Sequence, residues 1–370
     1  MGSEYSDVSD LKNFPLWEKL NKKRILASFD LEITSRCSNN CRHCYINLPA
    51  GDKDAKSGEL SLKELERIAD QAIELGALWC LISGGEPLLR EDFSDIYMML
   101  KKKGLLVSVF TSACLINESH IELFRKYPPR EIEVTVYGVT EETYEKVSRV
   151  PGSYGKFMKG LNLLLDNRVK VRLKTMALRS NLDEFKEIET FCRERTKDYY
   201  KFDPMLHLRY DRDPVRNEEI KSERLTPKEI VKLEQDDPER SSGLKENCGE
   251  FIFEGDGHHN CDHLFHCGAG LSSFTVSPEG IFRLCSSLWH PDFIYDLREG
   301  SLKEAWEEFV PKVLNATSDN PEFHSKCHSC NIVNLCLWCP AHAYLETGVS
   351  DKWVDNFCKV AHAREAALKK

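Results

Sequence analysis

The sequence predicts an α/β chain built on a parallel sheet. From residue 28 to about residue 210, a short apolar β-rich run followed by an amphipathic stretch recurs six times, and such alternation builds βαβ units. The first crossover opens on a helix-start signature, and 370 residues with 41% hydrophobic content suffice to bury a sizeable core. Periodicity alone does not choose between an open doubly wound sheet and a full or partial barrel.

The strand candidates are Ser28 to Thr34, Leu78 to Ser83, Leu105 to Thr111, Glu131 to Tyr137, Val169 to Leu178 and Lys201 to Leu208. In the first helical stretch Ser61 and Glu64 form a capping box, followed by Leu65, Ile68, Ala69, Ala72 and Ile73 at helical spacing. Residues 211–245 are charge-rich and punctuated by Pro214, Pro227 and Pro238, which reads as a linker carrying one helix with Thr226 as N-cap and Pro227 at its first position. Beyond Cys248 the periodic pattern stops and cysteine becomes dense. A region with so thin an apolar core needs staples, which metal clusters can supply. The expected division is an N-terminal extension over 1–27, a βα unit over 28–212, a charged linker with a helix over 213–247 and a cysteine-rich domain over 248–370.

Composition narrows the function. No apolar run approaches the roughly 20 residues that span a bilayer, and the N-terminus lacks the apolar core of a secretory signal, so no membrane is expected and the location is a reducing cytoplasm. A formal net charge of -9 argues against a nucleic-acid partner, because tracking phosphates needs clustered Lys and Arg. Fifteen cysteines in such a chain point to metal binding or redox work rather than to a disulfide framework.

Directly after the first strand stands Cys37-Ser-Asn-Asn-Cys41-Arg-His-Cys44. Three thiolates can hold three irons of a cubane cluster and leave the fourth open for chemistry. Structural zinc prefers four ligands and would have to recruit His43 or a distant group. After the second strand comes Ser83-Gly84-Gly85-Glu86-Pro87. Its glycines permit close approach of the backbone to a ligand, and Glu86 offers an acceptor for an amino group. Both segments end parallel strands, so they face the same rim, where α/β folds bind ligands.

Together these residues resemble the radical S-adenosylmethionine (SAM) superfamily. The resemblance implies a partial (β/α)6 TIM-type barrel in which the open iron chelates the methionine group of SAM. One electron then cleaves SAM to a 5'-deoxyadenosyl radical, which abstracts hydrogen from a substrate. It implies further that Gly84, Gly85, Glu86 and Pro87 hold the methionine end, with Glu86 on its amino group. Thr111 and Ser112 sit where relatives carry a cofactor-binding turn, Thr135 matches a position touching the ribose, and Lys174 is placed to reach the carboxylate. His43 and Tyr45 either shelter the adenine or only pack. A low-potential donor of flavodoxin or ferredoxin type is implied as partner.

Eight cysteines follow in the last third: Cys261, Cys267, Cys285, Cys327, Cys330, Cys336, Cys339 and Cys358. This spacing resembles the SPASM extension of the same superfamily, which carries two auxiliary clusters and so brings the 4Fe-4S total to three. The resemblance assigns Cys327, Cys330, Cys336 and Cys358 to a distal cluster and Cys261, Cys267, Cys285 and Cys339 to one nearer the barrel. The Cys336-Leu-Trp-Cys339 run is one residue shorter than the family pattern, and Cys248, His258, His259, His263 and His266 compete with Cys261. Paired CxxC spacing also fits zinc. Cys80, Cys114 and Cys192 read as buried apolar thiols.

Relatives with this layout mostly modify peptides and proteins, and a smaller group edits haem precursors. The first expectation is oxidation or thioether or carbon-carbon crosslinking of a ribosomally made peptide or protein; the alternative is a tetrapyrrole-modifying enzyme. A non-catalytic iron-sulfur or zinc protein is the alternative of another class. Sulfatase maturases carry an Asp after the cysteine corresponding to Cys285, whereas Ser286 stands here. Only 36 residues precede Cys37, so a leader-binding partner is expected as a separate protein. Asp203, His207, Arg209 and Tyr210 are the candidates to line the substrate cavity.

Overall fold

The structure, a computed structural model, describes residues 24–196, 200–246, 263–336 and 338–369. Its main sheet comprises β1 (Ser28–Thr34), β2 (Trp79–Gly84), β3 (Leu106–Thr111), β4 (Glu131–Thr135), β5 (Val171–Met176), β6 (Lys201–Asp203), β7 (Ser273–Val276), β8 (Ile281–Arg283) and β9 (Tyr295–Asp296). In space they run β9-β8-β7-β1-β2-β3-β4-β5-β6. The six strands expected from the sequence are present and parallel. β5 and β6 are shorter than their apolar runs, because the residues beyond Met176 and Asp203 leave the sheet as loops.

The sheet does not close on itself: β1 has β7 as its other neighbour, parallel and in register from Ser28↔Ser273 to Leu31↔Val276. This excludes a full barrel, and the unbroken order β1 to β6, without the reversal of a doubly wound sheet, leaves the partial one. It also means that the cysteine-rich region begins as an extension of the barrel sheet, with Phe29 and Phe274 stacked at 5.6 Å in one shared core.

Helix α1 (Leu62–Glu74) carries the expected capping box, with the Glu64 amide donating to Ser61 Oγ at 3.3 Å and the Ser61 amide to the Glu64 carboxylate at 2.8 Å. It buries Leu65, Ile68, Ala69 and Ala72. The charged segment differs from expectation. Besides the Thr226-capped helix α3 (Pro227–Asp236) it forms α2 (Pro214–Ser222) and α4 (Pro238–Glu246). Its charges are not all solvated: Glu234 is buried between Arg240 and Arg364, the latter on the C-terminal helix α5 (Asp355–Leu368). Satisfied charges let a polar segment pack as structure rather than hang as a linker. No helix among the described residues is long and apolar enough to cross a membrane.

Candidate active site

Period-two alternation along the strands decides what faces the barrel interior. On β1, Phe29, Leu31 and Ile33 join the hydrophobic core, while Asp30 and Glu32 turn to a cavity of about 390 Å³. Phe110, Thr135, Lys174, Asp203 and Thr275 complete its strand wall. Cys37, Cys41, Cys44 and Tyr45, from the loop after β1, close one end.

The cysteine loop is held by its own backbone and by neighbours. The Asn39 amide donates to Cys37 Sγ at 3.4 Å, the Cys44 amide to the Cys41 carbonyl at 3.3 Å, and the Asn40 amide to the Ser148 carbonyl at 2.9 Å. Burial raises the Cys37 and Cys41 thiol pKa values, with the charges of Glu86 and Cys44 respectively adding to the effect. Thiols so placed give up their protons to a metal rather than to solvent. Burial, reinforced by Arg216, keeps His43 neutral with a pKa of about 4.

The Gly84-Gly85 pair serves a closer contact than the one expected. Gly84 has φ +126°, and a Cβ there would lie 2.2 Å from the Thr34 carbonyl oxygen; one on Gly85 would lie 2.3 Å from that of Arg36. The Gly85 and Glu86 amides donate to these same carbonyls at 2.7 and 2.9 Å. The glycines therefore fasten the turn to the start of the cysteine loop, and Gly84 and Gly85 still present one side to the cavity.

The Glu86 side chain is held by protein donors. The carboxylate is fully buried and accepts from Thr111 Oγ1 at 2.8 Å, the Ser112 amide at 2.9 Å, the Leu88 amide at 3.3 Å and Ser112 Oγ. It braces the turn after β3, and desolvation raises its pKa. Pro87 is buried at the start of a short 3-10 turn. Thr111, Ser112, Thr135, Lys174 and Tyr45 all line the cavity. The Lys174 ammonium is already paired with Glu133 and lies 4.0 Å over the Phe110 ring. Tyr45 Oη donates to Glu32 at 3.5 Å.

Of the four rim candidates, Asp203 and His207 reach the cavity. Arg209 and Tyr210 do not: Arg209 donates to the Asn47 carbonyl at 3.1 Å and pairs with Asp211, and Tyr210 packs on Trp289 at 4.8 Å. Sequence reasoning missed Asp30, Glu32 and Thr275. Polar residues alternating with Phe29, Leu31 and Ile33 in a strand expected to be buried were the available signal for the first two. Glu32 pairs with Arg283, which is wholly buried, stacks on Trp289 at 3.8 Å and donates to the Ser286 carbonyl at 2.6 Å.

Cys327, Cys330, Cys336 and Cys358 line one cavity of about 340 Å³. Burial and the charges of the other three push Cys327 up to about 12. Burial pushes Cys285 up to about 11, and the charges of Cys339 and Cys267 add to the effect. Among the described residues no three His, Cys, Asp or Glu groups converge on a single ion. Cys37, Cys41 and Cys44 border one cavity and Cys327, Cys330, Cys336 and Cys358 another, a donor arrangement that fits multi-iron clusters. Cys261, with Cys248, His258 and His259, lies outside the described residues. Cys80, Cys114 and Cys192 are buried, as expected.

Residues 31–192 match the family model of the Radical SAM superfamily. Among curated proteins, the chain is similar to an AdoMet-dependent heme synthase of Methanosarcina barkeri (strain Fusaro / DSM 804), at 25% identity over 89% of this chain and 94% of that protein. It is also similar to the antilisterial bacteriocin subtilosin biosynthesis protein AlbA of Bacillus subtilis (strain 168), at 22% identity over 83% of this chain and 70% of that one. Its fold is that of Streptococcus suis SuiB bound to precursor peptide SuiA, with TM-score 0.66 and 17% identity over 96% of this chain and 84% of the other.

Proposed function

Because residues 31–192 make this chain a radical SAM enzyme, we propose that it acts on a side chain of a ribosomally made peptide or protein, by oxidation or by forming a thioether or carbon-carbon crosslink. The observation that carries this reading is the meeting of three thiols and the Gly84-Gly85 turn at the end of one cavity with an acidic wall. With a 4Fe-4S cluster and SAM bound, one-electron cleavage of SAM supplies the hydrogen-abstracting radical. Cys37, Cys41 and Cys44 would hold that cluster. Glu86 keeps Thr111 and Ser112 in position, and the barrel walls exclude water from the reacting groups. Auxiliary clusters would be held by Cys327, Cys330, Cys336 and Cys358, and by Cys267, Cys285 and Cys339 with Cys261.

The likeness to a bacteriocin biosynthesis protein supports the peptide substrate. Charge does so as well. Asp30, Glu32 and Asp203 line the cavity, Arg283 is committed to Glu32, and Lys174 to Glu133. A tetrapyrrole bearing several carboxylates would find neither of these cations free to receive it. Tetrapyrrole modification stands as a second reading because the similarity to the haem synthase runs over nearly all of that protein. In our reading the enzyme works in the cytoplasm with a flavodoxin- or ferredoxin-type donor and a separate leader-binding protein.

Anaerobic reconstitution should load about twelve irons for three clusters, and dithionite with SAM should yield 5'-deoxyadenosine. A precursor peptide encoded beside the gene should then lose hydrogen atoms by mass spectrometry. Turnover of iron coproporphyrin with the peptide unchanged would overturn the peptide reading, and zinc in place of iron with no SAM cleavage would overturn the whole.

A further inference from the structure

The helix α2, inside the segment that reads as a linker, grips the outside of the cysteine loop. Glu219 on this helix accepts two hydrogen bonds from Arg149, at 2.8 and 3.0 Å, and one from Arg216 at 2.5 Å. Each arginine in turn holds a loop carbonyl: Arg149 Nε donates to Asn40 O at 2.7 Å, and Arg216 Nη2 to Cys41 O at 3.1 Å. Arg216 also donates to Asn47 Oδ1 at 3.2 Å, beyond the last cysteine. Two guanidinium groups thus share one carboxylate against consecutive carbonyls of the loop, an excess of one positive charge within this trio. A cavity of about 510 Å³, lined by Cys37 through Asn40, by Arg216 and by the charged Arg209, Asp211 and Asp213, lies along this face.

We propose that Arg149, Arg216 and Glu219 form a clamp that sets the reduction potential of the cluster held by Cys37, Cys41 and Cys44, Arg216 and Glu219 being positioning residues of opposite electrostatic effect. The proposal rests on the radical SAM reading. Iron-sulfur potentials respond to nearby net charge and hydrogen bonding. Arg216, charged and donating beside Cys41, favours the more negative, reduced cluster. Glu219 opposes it.

The test is a redox titration followed by electron paramagnetic resonance on the reconstituted full chain, with the site cluster identified by the signal that SAM perturbs and that Cys44→Ala removes. Arg216→Gln should lower the midpoint and Glu219→Gln should raise it, each changing the reduction equilibrium by about fivefold, the scale of a partly screened charge interaction. Arg216→Lys should return the midpoint toward that of the unmodified protein. Shifts of the same sign in both Gln variants, or none in variants that load normal iron, would overturn the clamp and leave the family reading standing. Failure of the unmodified protein to take up iron and sulfide would overturn both.

Discussion

Asp30→Asn should flatten the dependence of stability on pH. Burial first, then the charge of Glu32 on the same strand, raises the Asp30 pKa from 3.8 to about 7, while Arg283 on β8 pulls the other way. Cys80 on β2 also lies within its field. Across the interval between the two values the native protein keeps a proton that the unfolded chain has released. The group's contribution is therefore fully present below the unfolded pKa, falls as pH rises, and is gone above about pH 7. At about 1.4 kcal/mol for each tenfold change, the whole effect is about 4 kcal/mol, of which about 2 kcal/mol is expressed between about pH 5.5 and 8.5. Asn keeps the shape and removes the charge. Anaerobic urea unfolding of the reconstituted proteins at a series of pH values gives the comparison. The unmodified protein should lose about 2 kcal/mol more than the variant over that window; parallel pH profiles would refute the argument.

Glu32→Gln leaves the buried Arg283 cation without its counter-ion and should cost about 3–5 kcal/mol, whereas Glu32→Leu combined with Arg283→Met should recover most of that loss in denaturant midpoint. A single variant as stable as the parent would count against a buried ion pair. Gly85→Ala drives a Cβ to 2.3 Å from the Arg36 carbonyl oxygen and should destabilise by about 2–4 kcal/mol, read as a lower melting temperature together with reduced iron loading. Cys44→Ala and Cys330→Ala should each remove about four irons. Only the first should abolish 5'-deoxyadenosine formation in an assay with dithionite, and equal loss in both would merge the two sites.

Much of the site was legible because its chemistry sits in short contiguous motifs. Cys37, Cys41, Cys44, Gly84 and Gly85 line one cavity, as their places after consecutive strands implied. What local sequence could not supply was side-chain direction. Glu86 reaches across to Thr111 and Ser112, from the next strand, which offer it donors. Arg209 is buried away from that cavity because Asp211 and Asn47 receive it. Asp30 and Glu32 were readable from alternation, yet only the apposition of β7 and β8 surrounds them with Thr275 and Arg283.

By itself the sequence determined the βα alternation, the helix caps at Ser61 and Thr226, and the spacing of the cysteine motifs, since each depends on groups a few positions apart. Tertiary structure decided that β7 joins β1 across some 245 residues and that the charged segment grips the cysteine loop. Contacts of such separation depend on shape and on the pairing of buried charges. Those are properties of the assembled fold and leave no local period in the chain.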